Sequence, residues 1–273
     1  PQTRANAAHL RELGYEVLDP DEGMLAAGEG SGPGRMPEPE TLFAHVGRLL
    51  ETRGDGLLRG KRVLVTAGPT REAIDPVRFI SNHSSGKMGV ALAAAAWRRG
   101  ARVDLVAGPL GVASPVGVAV ETVESTTDMA DAVERLLPEA DVLVMAAAPA
   151  DFKPERVATS KIRKSASPPA LALAATPDIL ATTRGARRED AVIVGYALET
   201  EDAVESGRKK LEAKDLDMIV VNDATEPGAG FGVDTNRVTL LLRDGADERL
   251  PLMPKTDVAD AILDRVERLI GGR

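Results

Sequence analysis

An α/β fold, a doubly wound, Rossmann-like and mostly parallel sheet with an added β-hairpin, is what this sequence predicts, on three observations. Short runs rich in β-branched residues alternate with helix-like segments, as buried parallel strands covered by helices require. The 273 residues are 43% apolar, enough for one large core plus an appendage. Near the C-terminus two strand-like runs flank Asp244-Gly245, a dipeptide suited to a tight hairpin turn.

The elements follow in order. Residues 5–13 carry a short helical pattern, and Gly28, Gly30, Gly32 and Gly34 then precede Pro37 and Pro39, a composition with little capacity for a core. Residues 41–53 (TLFAHVGRLLETR) place apolar side chains at helical spacing, and residues 54–60 read as a connector. Two regions are therefore expected, residues 1–53 and residues 61–273. Residues 62–67 (RVLVTA) suit a buried strand, followed by the turn Gly68-Pro69 and an alanine-rich helix over 86–99 that Gly100 is placed to end. A strand over 102–107 comes next. Ser125 with Asp128 three residues on marks a capping box for a helix through 137. Further strands are expected over 142–147, 191–197 and 218–221, with a helix over 202–214 between the last two. Residues 238–243 and 249–252 form the hairpin, and an amphipathic helix over 257–270 closes the chain.

Composition narrows the function. With no cysteine, disulfides, thiolate nucleophiles and thiolate metal sites are excluded. The formal charge of −8 argues against a nucleic-acid partner. No apolar run approaches the roughly 20 residues that cross a bilayer, and no signal-peptide pattern is present, so no membrane association and a cytoplasmic location are expected. The start at Pro1 fits either a processed product or a piece of a longer polypeptide.

Three segments carry candidate chemistry. The first, TAGPTREAIDPVRFISNHSSGKMG (66–89), joins a strand to its helix, where unpaired N–H groups favour an anion; Ser84, Ser85, Gly86 and Lys87 suit a phosphate. The plain alternative is a long loop with a capped helix. It is not a P-loop, because Met88 follows Gly86-Lys87 and the earlier glycine spacing is missing, and no GxGxxG fingerprint is present. The second, MAAAPADFKPERVATSKIRK (145–164), offers small residues Ala146, Ala147 and Ala148 for close approach of a flat base, Asp151 for a hydroxyl or metal, and Lys161, Arg163 and Lys164 for a triphosphate. Its alternative is a solvated basic loop. The third pairs Lys210 with Lys214 one helical turn on, after Tyr196, which suits base stacking; its alternative is a surface helix in which Glu212 and Asp215 balance the lysines. Taken together, the three lie at strand ends of one sheet, which points to a polyanionic nucleotide and a second phosphorylated ligand in one crevice.

These motifs, with KIRK (161–164), TPDIL (176–180), GYALET (195–200), KLEAK (210–214) and VVND (220–223), resemble the ligase half of the bacterial bifunctional phosphopantothenoylcysteine decarboxylase and synthetase family, from about Lys61 to the C-terminus. The resemblance implies condensation of 4′-phosphopantothenate with L-cysteine through an acyl-cytidylate, using CTP and Mg²⁺. By the same resemblance Asn82 positions and polarises the substrate carboxylate and Lys161 promotes its attack on the α-phosphate. Met145, Ala146, Ala147, Asp151, Lys161, Thr176, Pro177, Asp178, Ile179, Tyr196, Lys210 and Lys214 would hold CTP, with Asp151 the metal ligand. Arg78, Asn82, Ser84, Gly86 and Lys87 would hold the acid substrate. Tyr196 departs from the phenylalanine often found there, and Arg163 from a lysine. His83 reads as structural.

Residues 1 to about 40, especially GPGRMPEP (32–39), resemble the tail of the decarboxylase half. Ala27 stands where some relatives carry a reactive cysteine, so neither flavin binding nor decarboxylation is expected of this chain. A homodimer is implied, through the hairpin near 236–252 and with the partner contributing near Arg78, and a larger assembly through a decarboxylase half is open. The competing readings are a dinucleotide-binding redox module and a noncatalytic dimerisation scaffold. CTP against ATP, and closure of residues 228–234 over the site, are left open by the sequence.

Overall fold

The computed structural model describes residues 2–26, 28, 30–51, 56–164, 170–199, 202–223, 228–230 and 232–272. Ala27, Thr200 of the GYALET motif and Phe231 of the 228–234 stretch lie outside the described residues. The chain divides into two compact units, Pro1–Leu50 and Glu51–Arg273.

In the first unit, helix Gln2–Glu12 is followed by a small antiparallel hairpin of Asp21–Met24 and Ser31–Arg35. The glycine-rich stretch thus holds a strand that the sequence reading missed, because glycine supplies no alternation of apolar and polar side chains to detect. Helix Pro39–Glu51 follows, and neither helix buries a side chain fully.

The second unit is built on eight strands: β1 (Arg62–Ala67), β2 (Arg102–Ala107), β3 (Ala119–Thr122), β4 (Val142–Met145), β5 (Val192–Glu199), β6 (Met218–Asp223), β7 (Val238–Leu242) and β8 (Glu248–Arg249). Their spatial order is 3-2-1-4-5-6-7-8. The first six run parallel, and β7 and β8 add the antiparallel hairpin. The doubly wound parallel sheet with its appended hairpin is therefore present. The strand order reverses direction between β1 and β4, the switch point at which crossover chains leave in opposite directions and open a crevice.

Strand β1 pairs on both edges and is covered on both faces, so Val63, Leu64 and Val65 are buried, as their continuous apolar run requires. Helix α1 (Lys87–Arg98) packs on β1 and on the last helix, α4 (Lys255–Gly271). Past α1, Gly100 takes a left-handed φ of 89° and donates to Trp97 O, the C-terminal stop expected of it. Helix α2 (Thr126–Leu136) starts with the expected capping box: Ser125 accepts from Asp128 N at 3.1 Å and Asp128 accepts from Ser125 N at 2.9 Å. Helix α3 (Ala203–Ala213) connects β5 to β6.

Not foreseen from the sequence are β3 and three small antiparallel pairs, Arg71–Ala73 with Phe79–Ser81, Phe152–Pro154 with Leu173–Ala175, and Thr235–Asn236 with Met253–Pro254. Two to four residues are too few to display a period of two, so nothing in their pattern sets them apart from loop. Among the described residues no helix is long and apolar enough to cross a membrane.

Candidate functional site

The crevice is built where the chain leaves β1 and β4. Pro69 and Ala148 form a parallel bridge that carries the β1–β4 pairing past the strand ends, and Ala148 N donates to Gly68 O at 2.9 Å. Threonines then clamp the segment after β4. Thr66 Oγ1 accepts from Ala147 N at 3.1 Å, and Thr70 Oγ1 accepts from Ala150 N at 2.9 Å. Thr70 also pairs with Thr126 at 2.8 Å, and Thr126 donates to the buried Glu72. Thr176 holds the far end, its hydroxyl donating to Ala150 O at 2.6 Å. The result is a rigid floor of backbone at 146–150 carrying only alanine and proline side chains, open to a flat group.

One wall comes from the β1–α1 loop. Asn82 Nδ2 donates to Ala148 O at 2.8 Å and Pro149 O at 2.9 Å, so both amide hydrogens hold the floor. Gly86, at φ 76°, is the N-cap of α1 and offers no side-chain acceptor, which leaves first-turn N–H groups of α1 without a cap. Lys87, the first residue of α1, donates to Gly232 O at 2.8 Å and Asp234 Oδ1 at 2.7 Å. That contact holds the Asp234 carboxyl below its usual range.

The other wall comes from β5, α3 and the short helix Ile179–Thr182, which Asp178 caps by accepting from Ala181 N at 3.2 Å. Lys210 pairs with Glu199 at 2.6 Å, and Lys214 pairs with Asp178 at 3.0 Å. Lys210 of α3 and Lys214 at its C-cap are thus balanced by carboxylates of the same wall. Asp215, which the surface-helix alternative has balancing them, pairs instead with Arg184 and Arg243. Tyr196 lines the same wall with its hydroxyl buried, and burial pushes its phenol above the ordinary range.

A cleft of about 440 Å³ joins these walls. It brings together Asn82, Ser84, Gly86, Lys87, Met145, Ala146, Ala147, Asp151, Thr176, Pro177, Asp178, Ile179, Tyr196, Lys210 and Lys214. Arg78 and Lys161 are not among its lining residues. Arg78 is turned into the chain, donating to the buried Asp75 carboxylate and to Ile162 O at 3.1 Å, while Ile162 N donates to Asp75 at 3.1 Å. Lys161 is exposed on the segment this clamp holds, with Arg163 and Lys164, and His83 is exposed as well. The Asp75 carboxyl lies far below the usual range, first because of the Arg78 hydrogen bond and then because of three backbone donors, against a burial penalty.

The structure also places Asn222, Asn236 and Lys255 in the cleft. Asn222 belongs to the VVND motif, a signal the sequence carried. Asn236 and Lys255 had none, since each reaches the crevice only through the return of the chain after β6. Among the described residues no group of three or more His, Cys, Asp or Glu side chains is arranged to hold a metal. Asp151 is exposed in the cleft, and no side chain among the described residues pairs with its carboxylate.

A family model described as DNA/pantothenate metabolism flavoprotein C-terminal domain matches residues 58–269. The coenzyme A biosynthesis bifunctional protein CoaBC of Bacillus subtilis is 44% identical over 270 residues, which cover 98% of this chain and 66% of that protein. Its namesake in Mycobacterium tuberculosis is 46% identical over 286 residues, covering 100% of this chain and 68% of that protein. The chain thus spans about two thirds of the length of these curated relatives. Among solved structures, the C-terminal domain of a CoaBC protein matches with a TM-score of 0.69 at 40% identity, covering 80% of this chain and 100% of that one.

Proposed function

We propose that this chain, which belongs to the DNA/pantothenate metabolism flavoprotein C-terminal domain family, is the ligase that joins 4′-phosphopantothenate to L-cysteine in coenzyme A biosynthesis, consuming CTP and releasing CMP and pyrophosphate. One observation carries the reading: a single cleft at the β1–β4 switch point has a floor of small residues between two lysine-bearing walls. The names of its relatives as coenzyme A biosynthesis proteins agree with it.

A carboxylate resists attack by an amine, so it must first be activated. One carboxylate oxygen of 4′-phosphopantothenate attacks the α-phosphorus of CTP; the bond to the pyrophosphate oxygen breaks and an acyl-cytidylate forms. The cysteine amine then attacks the acyl carbon, CMP leaves, and the amine proton passes to solvent. No enzyme nucleophile is needed. Lys210 and Lys214 neutralise the triphosphate by exchanging Glu199 and Asp178 for phosphate oxygens. The alanine floor and the exposed part of the Tyr196 ring receive the base. Asn82 positions the floor through both amide hydrogens, and it polarises an acyl oxygen only by giving one of them up.

Mg²⁺ characteristically takes one or two protein carboxylates and completes its shell with phosphate oxygens and water. The Asp151 carboxylate, unpaired among the described residues, fits that role, and the ion would offset charge on the departing pyrophosphate. Pairing of two chains belongs to the same reading, and sedimentation returning a monomer at assay concentration would remove it. Residues 1 to about 40 are read as the tail of a decarboxylase half.

The test is a coupled pyrophosphate assay with CTP or ATP, with and without cysteine. Pyrophosphate and CMP are expected with CTP and 4′-phosphopantothenate, and amide product only when cysteine is added. Conversion of CTP to CDP sinks the proposal. Lys161 acts only by reaching the cleft when nucleotide is bound. Lys161→Gln is therefore expected to keep CTP affinity within about twofold while slowing acyl-cytidylate formation by about 100-fold, the scale of one lost charge-stabilising donor.

A further inference from the structure

Lys255 is a buried ammonium that none of the roles above uses. It opens helix α4, is 7% exposed and lines the cleft. Its Nζ donates to Gly230 O at 2.9 Å and to Val233 O. Lys87, which opens helix α1, holds Gly232 O and Asp234 of the same stretch. Two cations at the first turns of two helices therefore converge on one short piece of chain.

Charge balance separates this corner from the opposite wall. Lys210 and Lys214 face two carboxylates, Glu199 and Asp178. Lys87 and Lys255 share only one among the described residues, Asp234, which is itself 88% exposed. Burial, then repulsion from Lys87, lowers the Lys255 pKa, as a cation short of counter-charge requires. A third group points the same way. Asn236 is fully buried and lines the cleft; its Oδ1 accepts from Arg237 N at 3.0 Å, but its Nδ2 has no acceptor among the described residues. A buried donor left without an acceptor is costly, and an acceptor supplied by a ligand removes the cost.

We infer that Lys255, Lys87 and Asn236 form a subsite for a phosphate monoester dianion, and that in the free protein the Asp234 carboxylate and its neighbouring carbonyls occupy it as an internal stand-in. A dianion supplies the missing negative charge and the acceptor for Asn236. The displaced Asp234 carboxylate is mostly in water already, so releasing it costs little desolvation. The inference rests on the proposed function in assigning the bound dianion to the acid substrate, 4′-phosphopantothenate, and it makes this corner the place where a phosphorylated acid is told from its dephosphorylated form.

Calorimetric titration of the full chain tests it, with 4′-phosphopantothenate, pantothenate, inorganic phosphate and CTP as separate probes. Lys255→Met is expected to weaken 4′-phosphopantothenate by about tenfold or more, the scale of one charge-assisted hydrogen bond, while leaving pantothenate and CTP affinities unchanged. Asp234→Asn, which removes the internal competitor, is expected to tighten both inorganic phosphate and 4′-phosphopantothenate. The inference is overturned if Lys255→Met weakens pantothenate as much as its phosphate ester, or if Asp234→Asn leaves phosphate binding unchanged or weaker. Failure of the wild-type chain to bind CTP would count against the ligase reading instead, and the inorganic phosphate titrations would still decide the subsite.

Discussion

Tyr196 has its ring on the cleft wall and its hydroxyl buried without a partner among the described residues. The stacking role needs only the ring, and the hydroxyl is a cost of about 1–3 kcal/mol unless a ligand meets it. Tyr196→Phe is therefore expected to raise thermal stability while CTP affinity stays within about twofold, read by denaturation without ligand and titration with it. A tenfold loss of CTP affinity would mean that the hydroxyl bonds the nucleotide. Asp75 makes the opposite case, a buried carboxylate with every donor in place: Val77 N and Arg78 N at 2.9 Å, Ile162 N at 3.1 Å and the Arg78 guanidinium. Its folded pKa is depressed, so the stability it contributes is complete above the ordinary carboxylate value, about 4, and is lost only as pH falls through the depressed value. Asp75→Asn should lower the melting temperature by an amount that is constant between pH 6 and 8 and shrinks in strong acid. A gap that widened on acidification would refute this account of the clamp on residue 162.

At the scale of the element, α1 matters because its first turn must lie against the end of β1. Gly89 permits that approach: a Cβ there would stand 2.5 Å from Ala67 Cβ and 2.8 Å from Thr66 O. Gly89→Ala must push the helix off the strand, at a cost of about 1–3 kcal/mol, and should weaken substrate binding because Lys87 moves with the turn. Gly185→Ala, where an added Cβ meets nothing within 4 Å, is the control and should stay within about 0.5 kcal/mol. Equal stability of the two variants in chemical denaturation would dismiss close helix–strand packing as the reason for Gly89. The long elements were legible because their signals are local: the RVLVTA run marks β1, and Ser125 with Asp128 marks the start of α2. The short pairs around Arg71 and Phe152 were not, since they are held by partners distant in sequence rather than by their own pattern.

For the molecule as a whole, the parallel order 3-2-1-4-5-6 gathers the ends of β1, β4 and β5 at one crevice, and this is why motifs some 60 to 130 residues apart were legible as one site. Illegible were the groups delivered by the return of the chain, Asn236 and Lys255, and the pairing that turns Arg78 away from the cleft. The same distribution bears on the N-terminal unit. Every buried Ala, Val, Ile, Leu, Met and Trp side chain among the described residues lies at Leu58 or beyond, the two helices of Pro1–Leu50 bury none of theirs fully, and of that unit's described residues Pro37 alone is buried. Burial of apolar surface is the dominant favourable contribution to folding, so the 51–273 unit holds the core that its own stability requires. A chain beginning at residue 51 is accordingly expected to unfold in one cooperative transition, with a melting temperature within about 5 °C of the full chain, a span corresponding to roughly 1–2 kcal/mol at this size. It should also keep its CTP affinity. Calorimetry and titration of the shortened chain check both, and a broad transition or a lost CTP site would show that residues 1–50 belong to the folding unit of the ligase.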